Sequence, residues 1–566
     1  MRPRIRFALR TLVLLAGAVI LLTFSPQGAT VRFHSDDPLG REPETQDASR
    51  AQPWEIDLFW DLALNLFGSP GDPATGVKAQ NVSTIDEVPD SNWFTNRIGV
   101  RPLSIEEAVR GPLVNSEPAS GRWSIARAKE AGFAPGFTMR DAKGDVWFVS
   151  FDANGFPDAA TGAILVANKI FWVLGYWQAE NHLIRVRPEE LAIETGAEVT
   201  PPSGKRRGMK SSDVDAVLRR AHRSADGTYR AVAARALPGR LLGGFRYHGT
   251  RTDDPNDIVP HEHRRELRAL KVFGAWTNLV DMKAGNTLDV LIEENGKSVV
   301  RHYLQDVGST FGTGANAMRD YDEGWEHLFE GDLVWKRLVS LGFYLRPWQT
   351  VPYPDEKAIG PFEGEYFDPL EWKPRVPTAA FRHARADDNF WAARRVMAFS
   401  DEMIQAIAET GRYQDASAAA LLAKVLMQRR NRIVHTYLAA VNPVVNVALG
   451  PEGALTFENA AVRAGVATEP EQGYIVHWAA FDNTTGETRA LGSPTATRGG
   501  QSQAPVALPS SPGAFVKVEI AAAAPGHPSW VLPVEAFFRR GANGWTLVGF
   551  ERLGQPSNGS PRRGAV

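Results

Sequence analysis

The stretch NLVDMKAGNTLDVLIEENGKSVVRHYLQDVGSTFG, Asn278–Gly312, decides how the rest of the chain is read. TLDVLIE and SVVRHYLQ both read as strands. Between them lie Asn295 and Gly296, a pair that accepts positive φ and so favours a tight hairpin turn. Asn286 precedes the first strand and Asp306 follows the second, each about ten residues from the turn. Antiparallel pairing returns both to one end of the hairpin. Asp281 sits five residues before Asn286, in the tight loop DMKAGN. Two carboxylates and an amide oxygen are expected to meet there. Hard divalent cations such as Mg²⁺ or Mn²⁺ take such oxygen donors, completing their shell with phosphate and water. The plainer alternative is two strands with acidic caps.

The order of these residues matches phosphoryl transfer. That chemistry uses an Asp in D-x-x-x-x-N to accept the substrate hydroxyl proton, the Asn to hold metal, and a later Asp-x-Gly to hold metal on the phosphates. DMKAGN supplies the first pattern, with Lys283 two places after Asp281, and DVG supplies the second. Each motif alone is weak, because Asp, Asn and Gly are common loop residues. Together they follow a helix, flank a hairpin and precede a helical region.

The 566 residues exceed one ordinary core, so several units are expected. Net charge is −2, which gives no footprint for nucleic acid. The absence of Cys excludes disulfides, thiolate metal sites and Cys nucleophiles. At the N-terminus Arg2, Arg4, Arg6 and Arg10 precede an apolar run, Thr11 to Phe24. That pattern predicts a signal peptide or signal-anchor over residues 1–30, with later residues outside the cytoplasm. The expected location is the bacterial cell envelope: exported to the periplasm, or anchored in the inner membrane by residues 11–24.

Residues 31–120 read as an extension with an amphipathic helix at 53–68. From Arg122, FTMRD, AKG and DVWFVSFD read as strand, turn, strand, and residues 157–176 read as a helix with Gly175 at its end. Residues 197–225 read as a polar surface excursion, 228–247 as a strand with a Gly-rich turn, and 261–280 as one helix. Further helices are expected at 324–342, 388–411 and 416–441. Alternating β-branched and aromatic segments predict a separate all-β sandwich-like domain over 443–555, and the tail 556–566 reads as disordered.

Residues 121–440 resemble the atypical protein-kinase-like superfamily of HipA toxins, CotH spore-coat kinases and secretory-pathway kinases. YLQDVGSTFG is similar to their D-x-G segment followed by F/L-G. The chain is also similar to uncharacterised bacterial exported proteins with a WFVKFD-like strand, a PEAAT-to-LFWALGY-like helix, DDPNDIIPHEHRRELR and HYLIDFGSTLG. The resemblance implies an α+β fold with a two-lobed kinase-like core: a β-rich N-lobe over 121–250 and a helical C-lobe over 251–442. It implies ATP and Mg²⁺ or Mn²⁺ as cofactors, Asp281 as catalytic base, and Asn286 and Asp306 as metal ligands. Residues near 132–150, including Gly136, would cover the nucleotide, although AGFAPGFT lacks G-x-G-x-x-G spacing.

Two departures stand out. Ser150 occupies the place where such proteins carry the phosphate-binding Lys, and the acid expected in the next helix is the shorter Asp158. Arg140, Lys143 or Lys169 would have to supply the cation; otherwise the chain is a pseudokinase. A periplasm without ATP favours a rival reading, an envelope binding protein that recognises peptide or glycan. A third reading is a structural envelope protein.

HEHRRE, residues 261–266, is not H-E-x-x-H, so His261, His263 and Glu266 are expected to brace a helix rather than hold zinc. Arg264, Arg265 and Arg268 are expected to pair with acidic loops such as 253–257. The absence of G-x-S-x-G leaves a serine hydrolase unsupported. Trp478, Trp530 and Trp545 either pack a sandwich core or stack on glycans.

Overall fold

A seven-stranded sheet and a small hairpin sheet flank the site, and both arise from local sequence pattern. The computed structural model describes residues 31–43, 46–129, 134–201 and 204–553. The apolar run 11–24, residues 130–133 of the expected phosphate loop and the tail 556–566 lie outside them. The protein is mixed α+β. Strands β1 (Trp123–Ala128), β2 (Gly136–Arg140), β3 (Val146–Phe151), β4 (Asn181–Val186), β5 (Leu191–Val199), β6 (Arg207–Gly208) and β7 (Tyr229–Arg235) form a sheet ordered β4-β7-β3-β2-β1-β5-β6. Alternation in VWFVSF turns Trp147, Val149 and Phe151 into one core face.

Helix α1 (Ala159–Leu174) joins β3 to β4. Its run of Ala and Gly allows close packing, and nearly the whole helix is buried. The region 197–225 is more ordered than a surface excursion. It holds the end of β5, strand β6 and a helix, Ser211–Leu218, whose Val214 and Leu218 join the sheet's core. Two buried apolar residues among many polar ones are easily missed by composition.

The hairpin forms as the Asn-Gly turn requires. Strands β9 (Leu288–Glu294) and β10 (Lys297–Tyr303) pair antiparallel from Glu294↔Lys297 back to Leu288↔Tyr303. Asn295 and Gly296 take φ of 52° and 76°. Strand β8 (Arg240–Gly243) adds to β9. Beneath the hairpin, buried Asp289 binds Arg251 at 3.1 Å and His302 Nδ1 at 2.7 Å, which fixes its base.

The expected single helix at 261–280 is instead broken into His261–His263, Arg265–Arg268 and Leu270–Thr277. Its arginines are buried and paired. Arg264 meets Asp257 at 3.5 Å and Glu42 at 3.1 Å, partly as the acidic-loop reading predicts. Arg265 pairs with the loop residue Asp86 at 2.9 Å and also with Asp388 at 2.9 Å, while Arg268 turns to Asp388 at 3.1 Å. His261 gives one ring nitrogen to Asp257, at 2.8 Å, and the other to the Arg246 carbonyl. His263 binds Asp72 at 3.0 Å. These contacts occupy the histidines as braces.

The expected helix at 324–342 contracts to Gly331–Val339. The region 388–411 splits into Ala386–Met397 and Asp401–Glu409, because Ser400 caps the second helix. Ala416–Leu438 is continuous. Beyond it lie two antiparallel sheets, one of three and one of six strands. Phe33 packs among Phe481, Phe515 and Phe537 of the larger sheet, so the N-terminal extension is fastened to the C-terminal region. Trp478 and Trp530 are buried in the core. No helix among the described residues is long and apolar enough to cross a membrane.

Candidate functional site

Between the seven-stranded sheet and the hairpin sheet lies a cleft of about 450 Å³. That size suits a small organic ligand. Phe137, Phe148 and Val232 line it from the large sheet, and Leu241 and Leu288 from β8 and β9. These are apolar walls on two sides, with half-exposed Phe148 and Leu241 left facing the space. At its polar end stand Lys129, Ser150, Gln305, Asp306 and Gly308.

A cation does stand beside Ser150: it is Lys129, just past the end of β1. Its Nζ donates to Ser150 Oγ at 3.2 Å. Sheet register explains the reach. The Lys129 N–H donates to the Gly136 carbonyl at 3.1 Å, and Gly136 pairs with Ser150. Lys129, Gly136 and Ser150 thus lie in one row across β1, β2 and β3. A Cβ at Gly136 would come 2.2 Å from the Val149 carbonyl oxygen, so the middle position admits only glycine. The lysine extends over a residue with no side chain. Desolvation at the cleft wall lowers the Lys129 pKa, and the Asp306 charge opposes that shift. The residue as a whole is exposed, so water limits the effect.

Arg140 and Lys143 are placed away from this end. Gly136 pairs with Ser150 while Arg140 pairs with Val146, four residues along the same hairpin. That spacing is about 13 Å, from a strand rise of roughly 3.3 Å per residue. Arg140 instead meets Glu194 at 3.4 Å. Lys143 occupies the β2–β3 turn, where its N–H is fixed by Asp141. Lys169 packs against Gly111, and burial lowers its pKa to about 8.

Asp158 is engaged elsewhere. It binds Arg230 at 3.2 Å and accepts the Gln414 N–H at 2.7 Å. It therefore ties the start of α1 to the turn after Asp401–Glu409. The α1 residue that reaches the cleft is Ile164, which lies against Gly308. Among the described residues, the opposite charge acting on Lys129 is Asp306 rather than an acid on α1.

Asp281, Asn286 and Asp306 are brought to one loop end. The Asn286 Nδ2 donates to the Asp281 carbonyl at 2.7 Å, and the Asp306 N–H donates to the Asn286 carbonyl at 3.0 Å. The Asp306 Oδ1 accepts the Gly308 N–H at 3.1 Å, which holds its carboxylate in the D-x-G turn. Lys283 Nζ lies 2.8 Å from Asp281 Oδ2, and Arg319 stands 3.8 Å from the same oxygen. The Asn286 amide nitrogen makes the loop contact, which leaves its Oδ1 as the acceptor end of the side chain.

Among the described residues, no group of three or more His, Cys, Asp or Glu is arranged to hold a metal. The available donors are one carboxylate, Asp306, and one amide oxygen, Asn286. That set fits Mg²⁺, which is bound through one or two protein oxygens plus substrate phosphate and water. It does not fit an all-protein metal cage.

Sequence reading missed Lys129. The signal was in RAKEAGFAPGFT, but it needed the register around the β1–β2 turn, which places Lys129 opposite Gly136.

No protein-family model matches the chain, and no curated protein matches it. A solved structure titled "Crystal structure of the golgi casein kinase" aligns with 71% of this chain and 97% of that chain. Its identity is 9% and its TM-score 0.29. A likeness that distant decides neither the fold nor the activity.

Proposed function

We propose that this chain is an atypical kinase-like phosphotransferase that holds a nucleoside triphosphate in the cleft beside Asp306. The observation that carries the reading is Lys129 reaching Ser150 above the D-x-G turn. It supplies the phosphate-facing cation that the third strand lacks. The apolar walls suit a base, and the polar end suits phosphates. The two-lobed reading is supported by a helix between the third and fourth strands, followed in sequence by D-x-x-x-x-N, a hairpin and D-x-G.

Asn286 Oδ1 and Asp306 are the groups that would hold Mg²⁺ or Mn²⁺. Such an ion would neutralise charge on the phosphates. Asp281 would accept the proton of an acceptor hydroxyl as that oxygen attacks the terminal phosphorus and the nucleoside diphosphate leaves. Lys283 orients its carboxylate. Gly136 keeps the lysine's path open. The acceptor is a protein or glycan of the cell envelope, where residues 11–24 would hold the chain at the inner membrane.

One observation favours a second reading. Ile164 stands where α1 faces the cleft, so no helix carboxylate fixes the lysine. A pseudokinase that binds nucleotide or an envelope ligand without transfer would keep the same cleft. Single-turnover transfer from radiolabelled ATP to cell-envelope fractions, with Mn²⁺ present, separates the two. Labelling that Asp281→Asn abolishes supports transfer, and nucleotide binding without labelling supports the pseudokinase.

A further inference from the structure

Helix Leu58–Phe67 is inside out. Its polar Asp61 and Asn65 are buried at 6% and 2% exposure, while Phe59 is 80% and Phe67 70% exposed. Burial raises the Asp61 pKa, consistent with a carboxyl turned into the protein. A second helix, Gly331–Val339, buries none of its residues. It presents Val334, Trp335, Leu338 and Val339 to solvent, and the chain beyond it adds Leu341 and Phe343, both 86% exposed. The two surfaces meet where Phe67 packs on Phe329, with ring centroids 5.2 Å apart. Soluble proteins rarely leave so much contiguous apolar surface uncovered.

The patch lies beside the candidate catalytic loop. Leu58 packs against Gly285, between Asp281 and Asn286. The ten-residue helix from Leu58 to Phe67 spans about 15 Å, so the patch starts at the loop and runs away from it. Lys336 and Arg337 stand on the second helix; the Lys336 amine lies 5.7 Å from the Tyr344 ring centroid, and neither side chain has an ion pair among the described residues. Aromatic and aliphatic residues on one side with cations beside them that carry no carboxylate partner are the pattern of a helix that lies in a lipid interface.

We infer that Leu58–Phe67 and residues 331–345 form one surface that seats on an anionic lipid bilayer and holds the catalytic loop at the membrane face. The inference rests on the reading that residues 11–24 anchor the chain. Phe33 is locked into the C-terminal sheet, so only residues 25–32 separate an anchor from the folded body. Eight extended residues reach at most about 28 Å. A chain of this length has a radius of gyration of roughly 25 Å, so part of its surface must rest near the bilayer. The apolar, cation-flanked face is the one that gains by doing so. These cations favour anionic headgroups over the chain's own Arg-rich N-terminus. The acceptor is then a molecule held in or on the membrane, within reach of Asp281.

The chain's lack of Cys allows a single probe. Full-length Phe343→Cys, labelled with an environment-sensitive fluorophore, is reconstituted in phosphatidylglycerol–phosphatidylethanolamine vesicles and floated. The expected result is co-flotation, a blue-shifted probe and quenching by brominated lipid. Lys336→Glu with Arg337→Glu should cut the quenching several-fold while flotation persists. Flotation with a water-exposed, unquenched probe overturns the docking surface but leaves the anchor standing. Failure to float overturns the anchor and the inference with it. A probe already buried without vesicles also overturns it, by showing that a second copy or the N-terminal segment covers the face.

Discussion

The Lys129 amine lies 3.2 Å from the Ser150 hydroxyl, across the side-chain-free Gly136, at the polar end of the cleft. On the proposed reading, this cation from the first strand takes the place of one on the third. Nucleotide affinity would then be tied to the register of β1 against β2.

If Asp281 accepts the acceptor proton, Asp281→Asn removes the base but leaves the nucleotide cleft intact. Transfer should fall by about 10²–10⁴-fold, the usual worth of a positioned general base. Nucleotide affinity should change little, because Asp281 contacts Lys283 and Arg319 rather than the cleft walls. Rapid-quench turnover with parallel calorimetry checks both. Equal losses in binding and transfer would place Asp281 in nucleotide binding.

Metal dependence should reside in Asp306. In Asp306→Ala the nucleotide loses the one carboxylate of the donor set. A thermal shift that requires ATP together with Mn²⁺ should disappear, while the unliganded melting temperature stays close to that of the parent. An Mn²⁺-dependent shift that survives the substitution would move the metal site elsewhere.

The buried arginine network sets a stability prediction. Asp388 accepts from both Arg265 and Arg268, and all three side chains are fully buried. Asp388→Ala takes from Arg268 its carboxylate partner among the described residues and leaves Arg265 with Asp86 at 2.9 Å. Removing one partner of a buried pair costs about 3–5 kcal/mol, read by urea unfolding. A loss below about 1 kcal/mol would match an exposed pair instead.

The His261–Asp257 pair gives a pH signature. Burial disfavours the charged ring, but the adjacent Asp257 charge outweighs it, so the His261 pKa is raised above 6.5. Burial likewise opposes the Asp257 carboxylate, yet His261 and Arg264 hold its pKa well below the ordinary value of 3.8. The histidine's contribution is complete below its unfolded pKa and is lost as pH rises through the folded one. The aspartate's contribution is complete above its unfolded pKa and is lost as pH falls through its lower folded pKa. The melting-temperature gap between the parent and His261→Asn should therefore be wider at pH 5.5 than at pH 9. A gap that is flat with pH would mean the ring is neutral throughout.

The hairpin and its loop end were legible because the Asn-Gly turn fixes the register, and register carries Asn286 and Asp306 to one place. Lys129 was not legible, because its role depends on a three-strand row rather than on a local motif. The kinase-like resemblance cast Asp158 as the acid of a lysine pair. In the fold, Arg230 and the Gln414 amide claim it first. Helical periodicity found Leu58–Phe67 but not which face turns inward, and the buried Asp61 and Asn65 reverse the ordinary assumption. The helix expected at 261–280 broke because its arginines seek acids on different sides. Arg264 turns to Glu42 and Asp257, while Arg265 and Arg268 turn to Asp388.

The most direct test of the account moves the cation. Nucleotide affinity is measured by calorimetry, with Mn²⁺, for Lys129→Ala and for Lys129→Ala combined with Ser150→Lys. Loss of a charge-assisted contact worth about 1.5–3 kcal/mol should weaken binding roughly 10–100-fold in the single variant. The returned lysine on the third strand should restore most of it. Unchanged affinity in Lys129→Ala would contradict the account, because the phosphates would then need no cation at this end of the cleft.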